Sequence, residues 1–168
     1  RALASKALKK ATMATKKMAI IATKGTLDMA YPPLILASTA AALGWDVQIF
    51  FTFYGLQLLR KNLDGIRISP LANPAMPMPV PMPVIVSVLP GMEAMATSMM
   101  KAKMKKKGVA SLEELRSLCL EADVKFIACQ MTVDLFEFQT SEFIDGIEYG
   151  GAATFMKFAG ETDVCLFI

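Results

Sequence analysis

Four short apolar runs set the terms for this chain: Met18–Thr23 (MAIIAT), Val47–Phe53 (VQIFFTF), Val124–Ala128 (VKFIA) and Val164–Ile168 (VCLFI). Each is too short for a helix and too continuous for a strand with one wet face, which is the pattern of a strand buried on both sides. Helix-length segments separate them. Buried strands that alternate with helices close most simply into a mainly parallel sheet, joined by right-handed crossovers and covered by helices on both faces. The expected fold class is α/β, and 168 residues suit a single domain.

Local signals fill in the connections. Lys24-Gly25 closes the first strand, and Asp28 is the expected N-cap of the next helix. Pro32 and Pro33 fit only in the first turn of that helix, which then runs to Gly44 as its C′ residue. Ala37, Ser38, Ala40 and Ala41 let it lie close to a sheet. Gly55–Asn62 is expected as a short helix with its cations at the carboxyl end. Gly91–Lys107 is a third helix, lysine-rich toward its end, and Gly108 stops it. Its Met92, Met95, Met99 and Met100 fall at helical spacing and predict flexible packing rather than a metal box. Ser111–Glu114 is a capping box for a helix through Glu121. Asp145-Gly146 predicts a turn, and Ala152–Ala159 a helix after Gly150-Gly151.

Residues 68–92 carry no charge, which taken alone suggests a membrane span. Seven prolines, at 70, 74, 77, 79, 81, 83 and 90, rule out a spanning helix and favour extended geometry. Only Val84–Leu89 is free to pair as a strand. With 54% apolar residues and a mean hydropathy of +0.44, the expectation is a homo-oligomer with Met76–Val84 near the subunit contact. Shallow membrane contact through 76–89 is the alternative. Residues 1–17 form a basic, partly helical lead-in to a domain spanning 18–168. A net charge of +3, with its cations in two short runs, argues against nucleic-acid binding.

The chain contains no histidine, which removes Ser-His-Asp, Cys-His and His-metal chemistry at once. Its three cysteines are odd in number and lack disulfide-like spacing, so a reducing, cytoplasmic compartment is expected. Cys119 shares a helical face with Leu112, Leu115 and Leu118 and predicts a buried hydrophobe. Cys165 sits inside the last apolar run and predicts the same, although an edge position for that strand would expose it. Cys129 differs from both. It ends the third apolar run, at the sheet edge where α/β domains do their chemistry, and a helix is expected to open near Thr132. Amides at a helix start favour an anion and lower a thiol pKa. Cys129 is therefore the candidate reactive thiol, with Gln130, Met131 and Thr132 around it. Lys24, Gly25 and Thr26 follow the first strand on the same edge and could offer donors to an anionic sulfur group; the bland alternative is an ordinary turn. That turn is a poor match to a flavodoxin-type phosphate loop. P-loop, GxGxxG and CxxC motifs are all absent, and neither metal nor organic cofactor is expected.

Thr23–Pro33 (TKGTLDMAYPP), Phe50–Leu56 (FFTFYGL), Pro90–Met95 (PGMEAM), Ile127–Asp134 (IACQMTVD) and Ile144–Thr154 (IDGIEYGGAAT) together resemble the DsrE/DsrF-like family, in its DsrE2-type branch. The resemblance runs from Met18 onward and is most specific around Cys129. It implies a Rossmann-like or flavodoxin-like fold, homo-oligomers and a role in sulfur relay beside TusA-like or rhodanese-like proteins. The family's reactive cysteine falls on Cys129, which would hold sulfane sulfur as a persulfide or thiosulfonate and yield it to an acceptor thiol. Members are often labelled peroxiredoxins, but the Pro-x-x-x-Thr-x-x-Cys loop of those enzymes is missing here. Two other readings stand beside sulfur transfer: a non-catalytic assembly or membrane-docking protein of a sulfur redox complex, and a flavin- or nucleotide-binding domain using the Lys24–Asp28 turn.

Overall fold

The four apolar runs become strands, and a fifth joins them, in a computed structural model that describes residues 15–69 and 90–168. The expected strand at Val84–Leu89, the Met76–Val84 contact and most of the basic lead-in lie outside those residues. Strand β1 is Lys17–Ala22, β2 Asp46–Phe51, β3 Lys125–Cys129, β4 Glu148–Gly150 and β5 Val164–Phe167. All pairings are parallel, in the order β4-β3-β2-β1-β5.

The helices are α1 Leu27–Ala42, α2 Met92–Lys106, α3 Leu112–Glu121, α4 Gln130–Leu135 and α5 Ala152–Ala159. Met18, Ile20, Val47, Ile49, Phe51 and Phe126 share one core with Leu34 and Ala37 of α1 and Leu115 and Cys119 of α3. The alternate residues Ala19, Phe50, Ile127 and Cys129 form a smaller core with Phe155 of α5, whose ring stacks on Phe50 at 5.0 Å. Helices thus cover both faces of one doubly covered sheet. Among the described residues, no helix is long and apolar enough to cross a membrane.

Helix α1 begins a full turn earlier than its prolines suggest. Thr26, not Asp28, is its N-cap, and Pro32 and Pro33 lie in the second turn, inside the helix. Two interior prolines break the backbone ladder, so tertiary contacts hold the first turn in place of propensity. Leu27 is buried and donates its amide to the Arg67 carbonyl at 2.7 Å. The Asp28 carboxylate takes the Ser69 amide at 2.8 Å and the Ser69 hydroxyl at 2.7 Å. Burial opposes its charge, but the Ser69 bonds outweigh that and hold its carboxyl below the usual range.

Other local expectations also shift. The segment after β2 is a 3₁₀ helix, Phe53–Leu59, rather than a helix over 55–62. Its end is held by the buried Arg116, which donates to the carbonyls of Leu58 and Arg60. Helix α4 opens at Gln130, immediately after β3, not near Thr132. Strand β4 had no apolar signal of its own; pairing along β3 creates it. Finally, Cys165 is exposed rather than part of the core, because β5 is an edge strand.

Among the described residues, four helices end in Schellman motifs, in which the C″ amide reaches back to the C3 carbonyl and the C′ residue is left-handed. Gly44 and Gly108 fill the C′ position of α1 and α2 with φ +81° and +71°. Asp123 and Glu137 fill it in α3 and α4 with φ +60° and +55°. At α4, Phe138 donates to the Val133 carbonyl at 3.0 Å and Glu137 to the Asp134 carbonyl at 3.2 Å. A glutamate has no local reason to favour this conformation, so Glu137→Gly should stabilise the fold. The expected gain is about 0.5–1 kcal/mol, read from the urea midpoint at unchanged slope, since relief of left-handed strain exceeds the entropy that glycine adds to the unfolded chain.

Candidate functional site

The carboxyl ends of β1, β2 and β3 lie side by side, and the loops that leave them interlock. Thr52, just past β2, donates its amide to the Ala22 carbonyl at the end of β1 (3.1 Å), and Gly55 donates to the Thr23 carbonyl (3.1 Å). A β-carbon on Gly55 would strike the Ala22 carbonyl, and one on Gly25 would strike the Tyr54 carbonyl. Two glycines therefore let the β1 and β2 loops pack backbone to backbone.

Cys129 is both the last residue of β3 and the N-cap of α4. Its side chain lies on the α5 face of the sheet, beside Phe50, Ile127 and Phe155, and is only 4% exposed. Burial pushes the thiol pKa up. The Thr132 hydroxyl and amide, the Thr52 hydroxyl and the Met131 amide push it down and prevail, leaving the thiol below its ordinary range. None of these donors closes a side-chain cap on the sulfur.

Beside Cys129 sits a partly buried polar pair. Thr132 is fully buried, and its hydroxyl lies 3.1 Å from that of Thr52 and 3.4 Å from the Phe53 amide. The elements that leave β2 and β3 at this sheet edge carry an exposed apolar rim: Met131 is 63% exposed, Tyr54 66% and Leu135 61%. Tyr54 stacks on Phe136 at 6.0 Å, which steadies the rim.

The other expected site residues divide. Met131 and Thr132 stand in the first turn of α4, whose amides lower the Cys129 thiol, whereas Gln130 turns outward and donates to Asp134 at 2.7 Å. Lys24 is exposed on the same sheet edge, beyond the β2 loop. The Thr26 hydroxyl lies 3.2 Å from that of Ser69, whose proton goes to Asp28, and Gly25 is covered by Tyr54. Thr52 and Phe53 belong to the cluster around Cys129 yet read in the sequence as the tail of a strand. The available signal was their place at the end of β2, provided β2 and β3 are known to be neighbours.

The remaining thiols occupy different settings. Cys119 is fully buried, donates to the Leu34 carbonyl at 3.4 Å, and is pushed up to about 11 by burial. Among the described residues, no group of three or more Asp, Glu or Cys side chains is placed to hold a metal ion.

Comparison with known proteins extends the picture. The model of the DsrE/DsrF/DrsH-like family matches residues 14–167. A curated protein of Allochromatium vinosum named sulfur carrier protein DsrE2 is 66% identical over 160 residues, covering 93% of this chain and all of its own length. The uncharacterised protein YrkE of Bacillus subtilis is 34% identical over 161 residues, covering 94% and 99%. Among solved structures, the ychN protein from E. coli shares the fold at a TM-score of 0.52 and 12% identity, covering 92% of this chain and all of that one.

Proposed function

We propose that this chain, which belongs to the DsrE/DsrF/DrsH-like family, is a sulfur carrier that holds sulfane sulfur on Cys129. One observation carries the assignment: Cys129 ends β3 and caps α4 beside the interlocked loops that leave β1 and β2, where nearby hydroxyls and amides hold its thiol below the ordinary range. Such donors favour a sulfur anion, whether thiolate or persulfide, over the neutral thiol. The 66% identity to a protein named as a sulfur carrier supports the same reading.

The chemistry needs only the residues present. The Cys129 thiolate attacks the outer sulfur of a donor persulfide R–S–SH; the donor S–S bond breaks and RS⁻ leaves with its electron pair, giving Cys129–S–SH. An acceptor thiolate then attacks that outer sulfur, takes it as R′–S–SH, and restores the Cys129 thiolate. No external oxidant or reductant enters either step.

Access shapes the partner. A cysteine 4% exposed admits a slender persulfide terminus more readily than a bulky disulfide, and the apolar rim of Tyr54, Met131 and Leu135 suits a folded protein that brings its own cysteine. TusA-like or rhodanese-like proteins of the cytoplasm fit that description, acting with a homo-oligomer of this chain. The flavin or nucleotide alternative is disfavoured by the β1 turn itself, where the Tyr54 carbonyl already faces Gly25. A carbonyl there repels phosphate oxygens. A purely assembling role would leave the donors around Cys129 without a task.

The test is peptide mapping after incubation with a low-molecular-weight sulfane donor and blocking with a haloacetamide. The peptide that carries Cys129 should gain one sulfur atom in mass, and lose it to added thiol. A gain confined to the Cys165 peptide would sink the assignment.

A further inference from the structure

Phe53 adopts φ +48°, a conformation that L-residues with large side chains avoid. Its ring does not explain this, being 46% exposed and only edge-on to Phe136 at 6.4 Å. Turning the chain there does have one consequence: it aims the Phe53 amide at the Thr132 hydroxyl, 3.4 Å away. Thr52, one residue earlier, sets its own hydroxyl 3.1 Å from the same oxygen. A fully buried hydroxyl thus has two neighbours from a different strand end.

A threonine hydroxyl has one proton to give. The Thr132 oxygen accepts from the Phe53 amide, and Thr132 is the third residue of the helix that Cys129 caps. With an anionic sulfur at Cys129 the low-energy arrangement has Thr52 donating to Thr132, whose own proton is then free to turn toward the sulfur. The reverse arrangement would leave the Thr52 proton for the sulfur instead. In either case one hydroxyl proton of the pair is left free for the anion.

We propose that the Thr52–Phe53 corner is a positioning element of the sulfur site, holding the Thr132 hydroxyl so that the pair serves the anionic sulfur of Cys129. The proposal rests on Cys129 being the carrier thiol, and it adds residues from β2 that make loading depend on the β2–β3 junction. Lowering of the Cys129 thiol by both hydroxyls agrees with it. Charged groups on the surrounding elements are exposed or peripheral: Asp134 on α4, Glu137 beyond it, and Asp46 and Lys125 at the far ends of β2 and β3. Glu148 and Tyr149 on β4 and Lys157 on α5 are exposed as well. None of these figures among the main influences on the thiol.

The experiment compares wild type, Thr52→Val and Thr52→Ser. Cys129 alkylation by iodoacetamide is followed by peptide mass across a pH series, with Cys165 in the same sample as internal standard and thermal melts beside it. Thr52→Val should move the Cys129 profile to higher pH and slow labelling at neutral pH by about 3-fold or more, since a hydrogen bond to a charged group is lost. Thr52→Ser should restore the wild-type profile, and Cys165 should label at the same rate in every variant at each pH. Should Thr52→Val melt before labelling, Thr52→Ala carries the same comparison. An unmoved Cys129 profile in a folded variant that lacks the hydroxyl overturns the proposal, as does a serine that fails to rescue. Sulfane loading is scored separately. A wild type that never loads sulfur refutes the carrier reading even where the Thr52 shift is seen.

Discussion

Cys129→Ser should lose sulfane loading altogether, while Cys165→Ser loads like wild type. A serine hydroxyl at this position stays protonated at neutral pH and is a poor nucleophile toward divalent sulfur, so removing the thiol removes the first step rather than slowing it. The other thiols cannot take over. Cys119 is fully buried and its thiol is pushed up to about 11, so it remains protonated and out of reach at neutral pH. Cys165 is exposed on the edge strand, and a reagent in excess will label it, but it lies three strands from Cys129 and four residues further down the sheet. That separation is roughly 19 Å, far beyond the span of a disulfide. Oxidised protein should therefore contain no Cys129–Cys165 cross-link within a chain, and sulfur on Cys129 should leave only to a partner. The lowered thiol sets the sign of the pH dependence. Loading should persist to lower pH than for an unperturbed thiol, and fade only once pH falls below the depressed Cys129 value and the thiolate is protonated. Loading that survives in Cys129→Ser would refute the site assignment and leave only the fold.

Gly55→Ala should be the most damaging single methyl in the molecule. The added carbon would collide with the Ala22 carbonyl and crowd the Thr23 amide, both backbone atoms of a central strand end that cannot rotate aside. The β2 loop must move away, breaking the Gly55–Thr23 and Thr52–Ala22 hydrogen bonds that join the two strand ends. A cost of about 3 kcal/mol or more is expected, which lowers the melting temperature by roughly 6–12 °C in a domain of this size. The same displacement carries Thr52 off Thr132, so the surviving folded protein should also alkylate Cys129 more slowly at neutral pH. By contrast Gly65→Ala, where nothing stands within reach of the new carbon, should change neither. Equal melting temperatures for the two variants would show that the loops are not interlocked as described.

What the amino-acid order determined alone was whatever depends on near neighbours. Continuous apolar runs such as MAIIAT and VKFIA can be buried only between two layers, so the parallel sheet followed from pattern alone. The Ser111–Glu114 capping box and the Gly44 and Gly108 helix ends are closed within a few residues, and each formed where its local chemistry placed it. Cys129 at the end of β3 was legible for the same reason. The tertiary structure decided everything that needs two distant segments. Helix α1 runs through Pro32 and Pro33 because Arg67 and Ser69 hold its first turn, against its own propensity. Strand β4 exists because β3 offers an unpaired edge. Cys165 is exposed because strand order, which no local pattern encodes, puts β5 outermost. The same is true of Thr52 and Phe53: they meet Thr132 across a gap of about 80 residues, and only the packing of β2 against β3 turns the tail of one strand into part of the other's site.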